Sequence, residues 1–162
     1  MISLIVAHDK NRAIGNKNAL AWDVPEDLRF FSKVTKGKTV VMGENTYKSI
    51  GRLLPYRTNI IISQTPKFEV EGATVFNSID PIVQFSKLGG NFIIIGGGMI
   101  YKSFLPYTDQ LFITQMDLEI EEADTYFPSY EEDFECLIKG EKMYSEKQGI
   151  DYQFTLWQKK FK

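Results

Sequence analysis

Asp27 is an acid set among large apolar side chains, in the stretch N-A-L-A-W-D-V-P-E-D-L-R-F-F spanning residues 18–31. Such a carboxylate can fix a ligand by charge-assisted hydrogen bonds. It can also do no more than complement the positive end of a helix dipole, and on these residues alone both readings stand. A second candidate is N-F-I-I-I-G-G-G-M-I, residues 91–100, where a very hydrophobic run meets three glycines and then a helical pattern. Gly96, Gly97 and Gly98 allow a phosphate or a ring to lie against the peptide itself, or else serve a tight turn that packs a helix on a sheet. The spacing is not that of the G-x-G-x-x-G fingerprint. T-V-V-M-G-E-N-T, residues 39–46, repeats the arrangement with one glycine, Gly43, and adds the Thr46 hydroxyl as a donor. G-R-L-L-P-Y-R, residues 51–57, carries the cations Arg52 and Arg57. His8 is the lone histidine and reads as a packing or surface residue. Cys136 is the lone cysteine, which excludes an intrachain disulfide and a cysteine metal cage; no metal site is expected.

The elements that hold these groups follow from periodicity. Asp23 and Glu26 have capping-pair spacing and Pro25 suits a first helical turn, so a helix is predicted there, with Val24, Leu28, Phe31 and Val34 or Thr35 as its buried stripe. Asp27 lies three residues before Phe30 and four before Phe31, at the margin of that aromatic face. Apolar runs predict strands at 2–7, 39–42, 59–63, 70–76, 91–95 and 110–115, the first of them central in the sheet. Helices are predicted at 44–50, 80–88 and 99–105, and an antiparallel hairpin from 134–139 and 152–159. Residues 9–22 form a polar connection long enough to be a binding loop. The sum is an α/β fold: a doubly wound, mostly parallel central sheet of about eight strands, an antiparallel C-terminal hairpin and about four helices.

At 162 residues and 43% hydrophobic composition, one domain over 1–162 is expected. A net charge of −2 argues against nucleic-acid or anionic-membrane partners, which need a basic field. No leader or membrane-length apolar run is evident, and a cytoplasmic location is the simplest expectation.

Taken together, I-S-L-I-V-A, A-I-G-N-K-N-A-L-A-W, P-E-D-L-R-F-F, V-V-M-G-E-N-T-Y-K-S-I-G-R, L-P-Y-R-T-N-I-I-I-S, F-I-I-I-G-G-G-M-I-Y and D-T-Y-F-P match one family in order and spacing. The chain resembles the bacterial dihydrofolate reductases. The resemblance implies reduction of 7,8-dihydrofolate to tetrahydrofolate by hydride transfer from NADPH to pterin C6, with protonation at N5. It makes Asp27 the acid that pairs with the pterin, Thr114 its hydrogen-bonding partner, and Leu20 and Trp22 the residues near a water-borne proton. Tyr101 joins these catalytic positions beside the nicotinamide. Ile5, Ala7, Leu28, Phe31, Ile50, Leu54 and Ile95 would line the substrate site, with Arg57 on the substrate's α-carboxylate and Arg52 as a helper. Ala7 would meet the cofactor from the end of the first strand, and Ile14, Gly15, Asn18, Ala19 and Leu20 from the long loop, which would act as a lid. Gly43, Glu44, Asn45 and Thr46 would meet it from the second strand and helix, and Ile62, Ser63, Gln64 and Thr65 from the third strand. Ile95, Gly96, Gly97, Gly98, Met99, Ile100, Tyr101 and Thr125 complete that set, and the Gly96–Gly97 peptide is expected to be cis. Dihydrofolate, folate-analogue inhibitors and a monomeric state follow from the same resemblance.

Departures from the family pattern bear on the cofactor and the lid. Glu44 and Met99 occupy positions that usually carry the cations for the adenosine 2′-phosphate, so NADH becomes a possible substitute for NADPH, with Ser63, Gln64, Thr65, Lys67 or Lys102 as partial compensation. Ala21 stands where the lid usually has proline, Leu53 where proline is usual, and Tyr56 where glycine is usual, in reach of the substrate tail. Glu122 and Ala123 precede Asp124 where a glycine is usual. Two other classes remain: a pterin- or nucleotide-binding module without turnover, and a reductase of another heterocycle such as a pyrimidine precursor of riboflavin. Asp27, Trp22, Thr114, Arg57 and the triple glycine, all retained, argue against the first, and Asp27 with Arg57 favours folate over the second.

Overall fold

Short apolar runs rich in isoleucine and valine form the strands, and the most apolar of them take the middle of the sheet, where both faces are covered. The structure, a computed structural model, describes residues 1–15 and 22–161. Its main sheet runs β10-β11-β7-β1-β6-β3-β4-β5, with β9 pairing beside β10 along the outer edge of β11. The central strands are β1 (Ile2–His8), β6 (Phe92–Gly96), β3 (Thr39–Gly43) and β4 (Thr58–Ile62), all parallel, with β5 (Ala73–Phe76) at one edge. β7 (Gln110–Met116) is parallel to β1, and β11 (Ile150–Lys159) returns antiparallel to β7. The helices are α1 (Pro25–Thr35), α2 (Glu44–Ile50), α3 (Asp80–Lys87) and α4 (Gly98–Phe104). The sheet and helix count agree with the fold class expected from the sequence.

Four features differ from the sequence expectation. Asp23 does not cap α1. Val24 takes the cap position in an extended conformation, φ −117°, with no side-chain capping bond. Asp23 instead donates its N–H to Gln148 Oε1 at 2.8 Å and pairs with Lys147 at 2.6 Å. The helix starts two residues after Asp23 because Pro25, lacking an N–H, is best placed at the first helical position.

The expected α1 stripe is also only partly buried: Val24 and Thr35 are, but Leu28 is 58% exposed. Leu28 and Phe31 face an open cleft instead of the sheet, whereas Phe30 stacks on Phe154 of β11 at 4.2 Å. The hairpin is more complex than expected. β9 (Phe134–Lys139) and β10 (Met143–Ser145) both pair with β11, which is ten residues long and shared between them. Finally, the long polar connection contains a strand, β2 (Ala13–Gly15), paired with β8 (Thr125–Tyr126) in the acidic loop. Neither had enough apolar residues to show a period.

Candidate active site

Parallel strands that end together leave their last residues around one crevice. Ala7 ends beside Thr114, Gly43 beside Ile62, and Met42 beside Gly96, so β1, β3, β4 and β6 open into a common cleft of about 890 Å³. One end is apolar: Ile5, Ala7, Leu28, Phe31, Ile50 and Leu54 line it. The other end is formed by the glycine turn and by Ser63, Gln64 and Thr65.

Asp27 lies in the wall of the apolar end, in the first turn of α1. Thr114 donates its hydroxyl to Asp27 Oδ1 at 2.7 Å, a bond across 87 residues of sequence. Burial pushes the Asp27 carboxyl above the usual carboxylate range, and the Thr114 hydroxyl partly offsets this by favouring the charged form. Among the described residues only Thr114 bonds this carboxylate, through Oδ1. Tyr101, on α4, donates its hydroxyl to the Ile5 carbonyl at 2.7 Å. Its own pKa is raised, first by burial and then by the Asp27 charge. Trp22 is buried in a second apolar cluster with Val24, Met116 and Tyr152, and its indole N–H has no protein acceptor among the described residues.

Arg57 lines the same end. Its Nε donates to Thr35 Oγ1 at 3.0 Å, one terminal nitrogen to the Pro55 carbonyl at 2.8 Å and the other to Ser32 Oγ at 3.2 Å. A guanidinium has five N–H groups, so among the described residues these bonds leave one on each terminal nitrogen, in a fork held to α1 by Thr35 and Ser32. Arg52 is exposed and outside the cleft lining, which does not place it as a helper. Tyr56 turns outward at φ +62°, with the Lys36 ammonium 5.4 Å from its ring centre, and does not cover the cleft.

The glycine turn suits close approach of a dinucleotide. The Gly96–Gly97 peptide is cis, as expected, and Gly96 has φ +128°. A Cβ at Gly98 would fall 2.5 Å from Thr125 Cγ2, one at Gly43 2.9 Å from Ile100 Cγ1, and one at Gly97 3.1 Å from Thr46 Oγ1. Strand β6, helix α4, strand β8 and helix α2 therefore pack tightly behind a bare backbone surface. Ile14, Gly15, Asn45, Ile62, Ile95, Met99 and Thr125 also line the cleft. Asn18, Ala19, Leu20 and Ala21 lie outside the described residues.

Glu44 is bound by Lys48 at 2.6 Å and by the Ser63 hydroxyl. Those two partners, Lys48 first, and then Thr65 hold its carboxyl at a pKa of about 2. Lys48 was not singled out in the sequence, although Glu44 and Lys48 have the i, i+4 spacing of a helical ion pair. Val6 and Ser49 are further lining residues without a sequence signal of their own. Lys67 and Lys102 do not line the cleft. Among the described residues no cluster of three or more His, Cys, Asp or Glu could hold a metal ion, and no helix is long and apolar enough to cross a membrane.

Comparison with known proteins gives one answer. A family model described as dihydrofolate reductase matches residues 1–159. The dihydrofolate reductase of Bacillus subtilis (strain 168) is 38% identical over 161 residues, covering 99% of this chain and 95% of that protein. Dihydrofolate reductase type 3 of Salmonella typhimurium is 43% identical over 130 residues, 80% of each chain. Among solved structures, the dihydrofolate reductase from Enterococcus faecalis complexed with NADP(H) and RAB-propyl superposes with a TM-score of 0.89 at 28% identity, covering 99% of this chain and 97% of that one.

Proposed function

The chain belongs to the dihydrofolate reductase family, and from that premise we propose how its cleft divides between substrate and cofactor. The reaction is reduction of 7,8-dihydrofolate to 5,6,7,8-tetrahydrofolate, an NADPH-dependent step that supplies one-carbon metabolism. The pterin lies at Asp27 and the cofactor along the Gly96–Gly98 turn. The observation that carries this division is the Thr114-held carboxylate at the apolar end of a cleft whose far end is bare glycine backbone.

NADPH, when bound, supplies the hydride that reaches pterin C6. The chain's own residues orient and polarise. Asp27 accepts paired hydrogen bonds from the 2-amino group and N3 side of the pterin, which fixes the ring's face. Its negative charge, in a cleft end walled by Leu28, Phe31, Ile50 and Leu54, favours the N5-protonated pterin, which accepts hydride more readily. Asp27 need not touch N5. The proton travels by water near Trp22, a reading supported by an indole N–H that has no protein acceptor among the described residues. Arg57 takes the α-carboxylate at the other end of the substrate. The same cleft takes folate-analogue inhibitors, ligands of the family. We further propose a single domain working as a monomer in the cytoplasm.

Thr114 tunes the acid. Its hydroxyl lowers the Asp27 pKa, so Thr114→Val raises that pKa further. The acid limb of the pH profile of kcat/KM for dihydrofolate is expected to move to higher pH in this variant. An unmoved acid limb would mean that the Thr114 bond does not tune Asp27.

Cofactor choice follows from Glu44. A carboxylate that stays ionised to about pH 2 occupies a position where the family usually has a cation, and its bond to Ser63 engages one of the candidate compensating groups. We expect NADPH use with a reduced preference over NADH. One lost charge-assisted bond is worth roughly 1.5–3 kcal/mol, or about tenfold to hundredfold in affinity. Glu44→Arg is accordingly expected to raise the NADPH-to-NADH ratio of kcat/KM by about that factor. A ratio of a thousandfold or more in the unmodified protein overturns the reduced preference.

A further inference from the structure

We infer that Asp9 is a positioning residue for the reaction: its buried carboxylate holds the wall of the cleft made by β2 and β8 against the glycine turn. Asp9 is 1% exposed and takes part in none of the ion pairs among the described residues. A charge so placed is retained only where hydrogen bonds replace its water. Oδ1 accepts from the backbone N–H groups of Asn11 and Ala13, both at 2.8 Å. Oδ2 accepts from the Ile120 N–H, also at 2.8 Å and 111 residues away. Both oxygens are thus used, and they join two separate segments. An amide at this position has only one acceptor oxygen and cannot make both sets of bonds.

The two segments lead directly into the cleft wall. Ala13 begins β2, whose Ile14 and Gly15 line the cleft. Ile120 stands before β8, whose Thr125 lines the cleft and approaches Gly98 so closely that a Cβ there would be 2.5 Å away. Among the described residues β2 and β8 pair only with each other, forming a sheet of two strands apart from the main one. A two-stranded ribbon is weak alone and depends on what anchors it. Further ties at its base are Lys10 N–H to the Leu118 carbonyl at 3.0 Å, Asp9 N–H to the Ala13 carbonyl at 3.0 Å, Phe127 N–H to the Arg12 carbonyl at 2.7 Å, Arg12 Nε–H to the Phe127 carbonyl at 3.0 Å, and a Lys10–Asp117 ion pair. His8 adds one more, donating from Nδ1 to the Asp9 carbonyl while Nε2 accepts from the Tyr130 hydroxyl. Asp9 makes the only side-chain bonds among these that need two acceptors on one group.

The inference rests on the assigned reaction, and its test separates the two. In Asp9→Asn, single-turnover hydride transfer, measured well below the melting temperature, is expected to slow by about tenfold to hundredfold through misplacement of the cofactor wall. The dihydrofolate Kd is expected to stay within about twofold of wild type, because α1 and Arg57 form the substrate end, and the primary deuterium isotope effect on kcat to rise. Ile120→Pro deletes the N–H that reaches Oδ2 while keeping the carboxylate, and is expected to show the same pattern, which covers a failure of Asp9→Asn to fold. A wild-type transfer rate in whichever variant folds overturns the inference. So does a loss of dihydrofolate affinity equal to the loss of rate, which marks general disruption. If the unmodified protein shows no dihydrofolate-dependent oxidation of NADPH, it is the assigned reaction that fails.

Discussion

Asp27→Asn is expected to lower kcat/KM for dihydrofolate by about tenfold to thousandfold at neutral pH, the cost of unpairing a buried charge-assisted contact. The same substitution is expected to raise the melting temperature at pH 7. Both effects have one cause. Burial holds the Asp27 pKa in the folded protein above its ordinary value. Between the ordinary and the raised pKa, the folded protein keeps a proton that the unfolded chain has lost, so stability falls as pH rises through that interval. At neutral pH the penalty is fully present; below the ordinary carboxylate range it is gone. Asparagine keeps an acceptor for the Thr114 hydroxyl and carries no charge to desolvate. The gain in melting temperature should therefore be largest at neutral pH and disappear in acid, which paired thermal melts across pH would measure. Wild-type stability equal to the variant's at pH 7 would mean that the acid is not held at a cost for function.

Arg57→Leu is expected to raise KM for dihydrofolate by about tenfold to hundredfold while leaving kcat within a few-fold, since a contact to the substrate's remote carboxylate is made equally in ground and transition states. The fork is already fixed to Thr35, Ser32 and Pro55, so little order is lost when a carboxylate binds it. Steady-state kinetics separates the two parameters. A fall in kcat as large as the rise in KM would show instead that Arg57 acts on the reacting ring. Stability is expected to drop as well, because Thr35 is fully buried and would lose its Arg57 donor.

The elements that build the cleft were legible in the chain where a residue type has few uses. Three glycines between a strand and a helix, and an acid beside a run of apolar side chains, constrain the backbone and the solvent in ways that periodicity exposes. What escaped has a common character. β2 and β8 have three and two residues and are held by contacts from afar, so no local pattern marks them. Leu28 has the spacing of a core residue, yet it faces the open cleft and is more than half exposed. Asp23 has the spacing of a cap, but Pro25 moves the helix start past it. Asp9 gains its meaning from Ile120, and no motif links positions 111 residues apart. Glu44 was legible as a departure, but its fixing by Lys48 and Ser63 required the fold to bring helix and strand together.

Passage of a hydride from a reduced nicotinamide to the pterin of dihydrofolate in this cleft is open to direct measurement. Its most direct test is turnover with NADPH carrying deuterium at the transferred position, followed by mass measurement of the product. The expected result is dihydrofolate-dependent oxidation of the cofactor and a tetrahydrofolate that carries one deuterium at C6. Binding of both ligands without turnover, or a product free of deuterium, would contradict it.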